Sequence, residues 1–139
     1  MIRKYGSAKW SGGLKDGRGT LSTQSGALED QPYGFNTRFE EGRGSNPEEL
    51  IGAAHAGCFS MALSNILGQD GIVPESVETR STIHLSTEGG PKIVKAHLDV
   101  TIRAEGDRGT IEAAAKKAET GCPVSQLLNC EITMDLQIA

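Results

Sequence analysis

The stretch from Asn46 to Gly68 constrains this chain more than any other. Asn46 suits the cap of a helix, Pro47 its first position, and Glu49 stands three residues after the cap. Leu50, Ile51, Ala53, Ala54, Cys58, Met61, Ala62, Ile66 and Leu67 follow, and Gly68 closes the run. At 3.6 residues per turn this predicts a helix of about six turns. Small apolar residues surround its axis rather than forming one stripe, which predicts burial on most sides. A second subunit packed against the helix would supply that burial.

The rest of the chain falls into place around this helix. The first third is rich in Gly and turns, with room for short strands near residues 4–11 and 18–23. Val77 to Thr87 is rich in β-branched residues and reads as a strand. Val94, Ala96, Leu98, Val100, Ile102 and Ala104 alternate with Ile93, Lys95, His97, Asp99, Thr101 and Arg103, the pattern of a half-buried strand. Thr110 is a candidate cap for a helix over Ile111–Thr120, which Gly121 would stop. Pro123 would start a short helix to Leu128, and Cys130, Ile132, Met134, Leu136 and Ile138 would share one face of a last strand. The expected fold is α+β with mostly antiparallel pairing, in a single domain over residues 1–139.

Composition narrows the function classes. The net charge is −4 with the signs mixed, which argues against nucleic acid or an anionic membrane as the main partner. No window is expected to approach the ~18 apolar residues of a membrane span. Met1 to Tyr5 shows no apolar signal region, so a cytoplasmic protein is expected. Three cysteines are an odd number, whereas a disulfide framework needs an even one. Thiols kept reduced serve reactivity, metal binding or packing.

Cys58 lies in Ala53-Ala54-His55-Ala56-Gly57-Cys58-Phe59. It is either a small buried hydrophobe or a reactive thiol. Gly57 removes a side chain beside the sulfur at a helix cost of ~1 kcal/mol. Cys122 lies between Gly121 and Pro123, at the cap of a new helix, where the helix dipole favours a thiolate. Such a turn exposes its sulfur more readily than a helix interior does. Cys130 reads as core filler.

Arg38 and Glu49 are either a solvated pair or a unit in which Arg38 lowers a thiol pKa and Glu49 holds Arg38. Glu49 and Cys58 are nine positions apart, about 900° of helix, so they face opposite sides. Glu49 therefore acts through a bend, through the reach of Arg38, or at the site of a partner chain. Tyr33, Phe35, Phe39 and Phe59 offer an apolar wall near Cys58 or an ordinary core. His55, Cys58 and Cys122 are the best metal set, but no second Cys or His pair completes it.

Three segments resemble the osmotically inducible protein C (OsmC) family. Asn46-Pro47-Glu48-Glu49-Leu50-Ile51-Gly52-Ala53-Ala54-His55-Ala56-Gly57-Cys58-Phe59-Ser60-Met61-Ala62-Leu63 is similar to its core motif. Gly121-Cys122-Pro123-Val124-Ser125 is similar to its second cysteine motif, and Gln31–Phe39 resembles the segment that holds its arginine. The likeness is to the OsmC branch rather than the organic hydroperoxide resistance branch. It implies an intertwined homodimer with long helices between sheets and sites at the subunit interface. It also implies a cysteine peroxidase acting on organic hydroperoxides and reset by a dithiol reductant, with no cofactor and no metal. Carried over, Cys58 is the peroxidatic cysteine, Cys122 the resolving one, and Arg38 and Glu49 the supporting pair. Gly57 departs from the family's Ala, and Cys130 has no counterpart. A non-catalytic dimeric stress protein binding an apolar ligand is the alternative, and it predicts a buried, inert Cys58.

Overall fold

A computed structural model describes all residues, 1–139, as two compact units, Met1–Leu50 and Ile51–Ala139. The first unit holds β1 (Gly6–Ser11), β2 (Arg18–Thr23) and β3 (Gln31–Tyr33), then the short α1 (Phe35–Phe39). These strands form an antiparallel sheet in chain order, with Ala8 opposite Leu21 and Thr20 opposite Pro32. Pro32 has no N–H to donate, and it stands on an edge strand, where none is needed.

The long helix α2 (Pro47–Gln69) begins at the end of this unit. Its cap is the expected one: the Glu49 N–H donates to Asn46 Oδ1 at 2.8 Å. The second unit holds most of α2, then β4 (Ser76–Ser86), β5 (Lys92–Arg103), α3 (Arg108–Gly121), α4 (Pro123–Leu127) and β6 (Glu131–Ile138). Its sheet runs β4-β5-β6, with β4 antiparallel and β6 parallel to β5. Ala96, Leu98, Val100 and Ile102 are the buried face of β5, as the alternation requires. Against them lie Ile111, Ala114, Ala115 and Ala118 of α3, and Phe59, Leu63 and Leu67 of α2. Burying each of the larger three α2 side chains contributes about 1.5–3 kcal/mol.

Four expectations need correction. α3 is capped by Asp107, not Thr110: Asp107 Oδ2 accepts the Thr110 N–H at 2.9 Å and its hydroxyl at 3.0 Å. An Asp three residues upstream is the better acceptor, so the helix starts one turn earlier. In length and hydropathy α2 does reach what a membrane span needs, although its buried face carries His55, hydrogen-bonded to Ser81 of β4 and Ser125 of α4. Nor is α2 buried on most sides in this chain. Only Gly52, His55, Phe59, Leu63 and Leu67 are buried, one narrow stripe, while Ala53, Ala54, Gly57 and Met61 are exposed. A helix apolar all round carries no internal mark of which face meets the sheet. Cys130, finally, is half-buried just before β6 rather than within the core.

Gly52 shows why the stripe sits where it does. A Cβ there would come within 2.7 Å of the Ser81 carbonyl oxygen on β4, so only Gly lets helix and strand approach this closely. About two turns on, Ser60 ties the same two elements together through Thr79 Oγ1 at 2.7 Å, while also donating to Ala56 O.

Candidate active site

Cys122 is the C-cap of α3 and the N-cap of α4 at once. Its N–H donates to Ala118 O at 3.1 Å, and its own carbonyl accepts from Gln126 at 3.1 Å. Gly121 and Pro123 on either side force this change of helix direction. The Cys122 sulfur accepts the Ser125 N–H at 3.3 Å, and its thiol lies 3.1 Å from Ser125 Oγ.

Cys58, on α2, lies beside this turn. The Val124 N–H pulls its pKa down, and the Cys122 side chain pushes it up. Burial pushes it up more strongly than either, so the net effect favours the thiol. No cation contributes. Cys58 is half-exposed and opens into a cleft of about 510 Å³ lined by Met61, Ala62, Asn65, Ile66, Gly121 and Pro123. The exposure is the reverse of the sequence expectation. Cys122, in the turn, is fully buried, and Cys58, in the helix, is the open one. The second cap packs Cys122 inward against Ser125, whereas Gly57 leaves space beside Cys58: nothing lies within 4 Å of a Cβ placed there.

His55, one turn before Cys58, is fully buried, and both ring nitrogens are taken. Nδ1 pairs with Ser81 Oγ at 2.7 Å and Nε2 with Ser125 Oγ at 2.8 Å. Burial holds its pKa below the ordinary 6.5, so the ring is neutral at pH 7. With no free nitrogen, His55 is not available as a metal ligand, which removes the set His55, Cys58 and Cys122. The histidine and carboxylates that do converge are His97, Asp99 and Asp135 on the sheet. There His97 Nε2 meets Asp135 at 3.1 Å and Asp99 at 3.4 Å, an arrangement an ordinary surface ion pair explains.

Arg38 belongs to the first unit. The Thr37 hydroxyl accepts the Gly34 N–H at 2.9 Å and donates to the Gly34 carbonyl at 3.0 Å, which fixes the turn before Arg38. The Arg38 Nε donates to Glu48 Oε1 at 2.9 Å. Glu48, not Glu49, therefore holds Arg38 in this structure. Glu49 is exposed, and only its backbone is engaged, by Asn46. Two adjacent carboxylates are equivalent in sequence, and the 100° between them on a helix decides which one faces Arg38. The Arg38 guanidinium lies 5.2 Å from the centre of the Phe39 ring. With Trp10, Leu14, Tyr33 and Phe35 the two line an apolar pocket of about 190 Å³. Phe59, the fourth aromatic of the expected wall, is instead core of the second unit.

Residues 40–137 match the family model described as OsmC-like protein. The chain is also 52% identical over 139 residues to a protein of Escherichia coli named Peroxiredoxin OsmC, covering 99% of this chain and 97% of that one. The chain belongs to the OsmC-like family. Another relative, Organic hydroperoxide resistance protein-like 2 of Staphylococcus saprophyticus, is 35% identical over 98 residues, 68% of each chain. Among solved structures, an OsmC organic hydroperoxide resistance protein from Legionella pneumophila matches with a TM-score of 0.70 and 27% identity. That match covers 97% of this chain and 96% of that one. The OhrB protein of Bacillus subtilis matches at 0.72 over 97% and 98%, and at 23% identity it bears on the fold alone. Sequence reasoning set Cys58 and Cys122 apart by 64 positions and left them for the fold to join. It did not single out Ser81 or Ser125, and it weighed His55 only as a metal ligand. The one available signal was that Ser125 lies three residues after Cys122, and His55 three before Cys58.

Proposed function

We propose that this OsmC-like chain is a thiol peroxidase that reduces organic hydroperoxides to alcohols. The observation that carries the reading is the pairing of an open thiol, Cys58, with a buried one, Cys122, close enough to shift its pKa. The Cys58 thiolate attacks one oxygen of ROOH. The O–O bond breaks, ROH leaves with one proton from solvent, and Cys58 becomes a sulfenic acid. Cys122 attacks that sulfur, forming a disulfide and releasing water, and a dithiol reductant restores both thiols by exchange. The apolar lining of the cleft suits an alkyl group better than a bare peroxide. The names of the Escherichia coli and Staphylococcus saprophyticus relatives support the same class of reaction.

Cys58 raised by burial is a poor nucleophile at neutral pH, so the reaction requires a cation. We assign that role to Arg38, steadied by Glu48, and leave to Glu49 a contact with a second chain. The exposed residues Ala53, Ala54, Gly57 and Met61 of α2 support a homodimer that covers them. The deciding experiment is intact mass before and after one equivalent of an organic hydroperoxide without reductant. A loss of two hydrogens mapping to Cys58–Cys122 is expected. Cys58→Ser should lower turnover by on the order of 10³-fold or more. Unchanged mass and unreactive thiols would reject the reading.

A further inference from the structure

Four buried or half-buried polar groups form an unbroken chain behind the second cysteine. Cys122 Sγ lies 3.1 Å from Ser125 Oγ, Ser125 Oγ 2.8 Å from His55 Nε2, and His55 Nδ1 2.7 Å from Ser81 Oγ. The chain joins three elements, α4, α2 and β4. Cys122 and His55 are fully buried and Ser125 nearly so. A packing role would be met by apolar residues of the same size, and it does not call for a buried ring with both nitrogens on hydroxyls.

The protons can be placed in one consistent order. The Cys122 S–H donates to Ser125 Oγ, the Ser125 O–H donates to Nε2, and Nδ1–H donates to Ser81 Oγ. Moving two protons one step along this chain leaves a Cys122 thiolate and an imidazolium. The thiolate then accepts both the Ser125 hydroxyl and the Ser125 N–H, while Ser81 still accepts from Nδ1–H. The groups facing His55 are Ser81 on β4 and Ser125 on α4, and no charged group enters its titration. A buried imidazolium is therefore costly and forms only while the proton is in transit.

We propose that Ser125 and His55 form a relay that takes the proton from Cys122 as its sulfur attacks the modified Cys58. Ser125 touches the reacting sulfur and is the catalytic hydroxyl. His55 acts through it and is a positioning residue. In the peroxidase cycle, which this inference takes from the proposed function, the step is Cys122–SH plus Cys58–SOH giving Cys58–S–S–Cys122 plus water. The S–S bond forms and the S–O bond breaks. Cys122 sulfur is oxidised, and Cys58 sulfur is reduced from the sulfenic to the disulfide level. The hydroxide leaving Cys58 takes a proton from solvent to become water, and the imidazolium afterwards gives its proton back to solvent, so no net charge remains.

The same step can be followed without any peroxide. In a Cys130→Ala background, an aromatic disulfide such as Ellman's reagent is attacked by Cys58 and releases one thionitrobenzoate. Cys122 then attacks the mixed disulfide and releases a second, so resolution is read as the second phase. Ser125→Ala and His55→Gln are expected to keep the first phase and slow the second by on the order of 10²-fold. In both variants the second phase should rise with pH, as hydroxide replaces the relay. Circular dichroism and thermal melting identify the variant that folds, and either one suffices. A folded variant with a second phase at the wild-type rate would overturn the relay. Equal slowing of both phases would also overturn it, since that marks a structural defect, as would a parent chain that releases a single thionitrobenzoate. A relay that passes this assay in a chain inert to organic hydroperoxide would sink the peroxidase reading and leave the relay standing.

Discussion

In the second unit, Cys58 and Cys122 sit among neutral groups: a Val124 N–H, two serine hydroxyls and a histidine that burial keeps uncharged. In the first, Arg38 and Glu48 form a 2.9 Å ion pair beside aromatic rings, with no thiol among the residues lining their pocket. The sulfur cluster has only the Val124 N–H to favour a thiolate on Cys58, and burial outweighs it. The Arg38 patch can stabilise an anion but has nothing to react. On the proposed function, nucleophile activation and disulfide formation would depend on different residues, and the two should fail separately when each region is altered.

After the loss of Cys58 itself, the largest effect is expected at Arg38. Arg38→Met should lower the peroxidase rate by about 10²-fold, and should move the pH dependence of Cys58 alkylation to higher pH, because the proposed cation is then gone and the upward push of burial is left unopposed by it. A stopped-flow peroxidase assay and a bimane alkylation series read the two. An unchanged profile would show that the first unit does not serve the thiol.

His55 supplies the next effect, on stability. Its folded pKa lies below 6.5, so above that value neither the native nor the unfolded state carries a proton there. Below it the unfolded chain binds a proton that the native state refuses, and stability is lost at up to about 1.4 kcal/mol per pH unit until the folded pKa is passed. Melting temperatures from pH 7.5 to 5 should fall in the parent, and less steeply in His55→Gln. Equal slopes would mean that His55 is not what limits stability in acid.

Smaller is the difference between two neighbouring carboxylates. Glu48→Gln should lower activity about two- to five-fold, the worth of a partly exposed ion pair, whereas Glu49→Gln should do less within one chain. A larger loss for Glu49→Gln would place Glu49 at a contact made only in an assembly. The smallest effect belongs to Gly57→Ala, which meets open space in this chain and should stabilise by about 0.4–1 kcal/mol in thermal melts. Destabilisation would instead reveal a second helix packed at that point.

Much of the fold was legible. The Asn46 cap, the alternation of β5 and the Gly121–Pro123 turn each rest on local rules that tertiary contacts did not override. The site was only half legible. Cys58 and Cys122 could be named from their surroundings, but their relative exposure came out reversed, because burial depends on what packs over a residue. Nothing local separates Glu48 from Glu49, and Ser125 and Ser81 carry no mark in the sequence, since serine is common and acts here only through its neighbours.

By itself the sequence determined the long apolar helix, the order of the elements after it, the family and the two cysteines, since all of these follow from local pattern and motif, whereas β3 and α1 carried no such pattern. The tertiary structure decided which stripe of α2 meets the sheet and which cysteine is open. It also decided which carboxylate holds Arg38, and that His55 reaches Ser125 across 70 positions of chain and through it Cys122. A helix apolar on every side, two adjacent glutamates and a scattering of serines look the same from either direction along a sequence. The close approach at Gly52, the place of Arg38 beside Glu48 and the double cap at Cys122 break those symmetries.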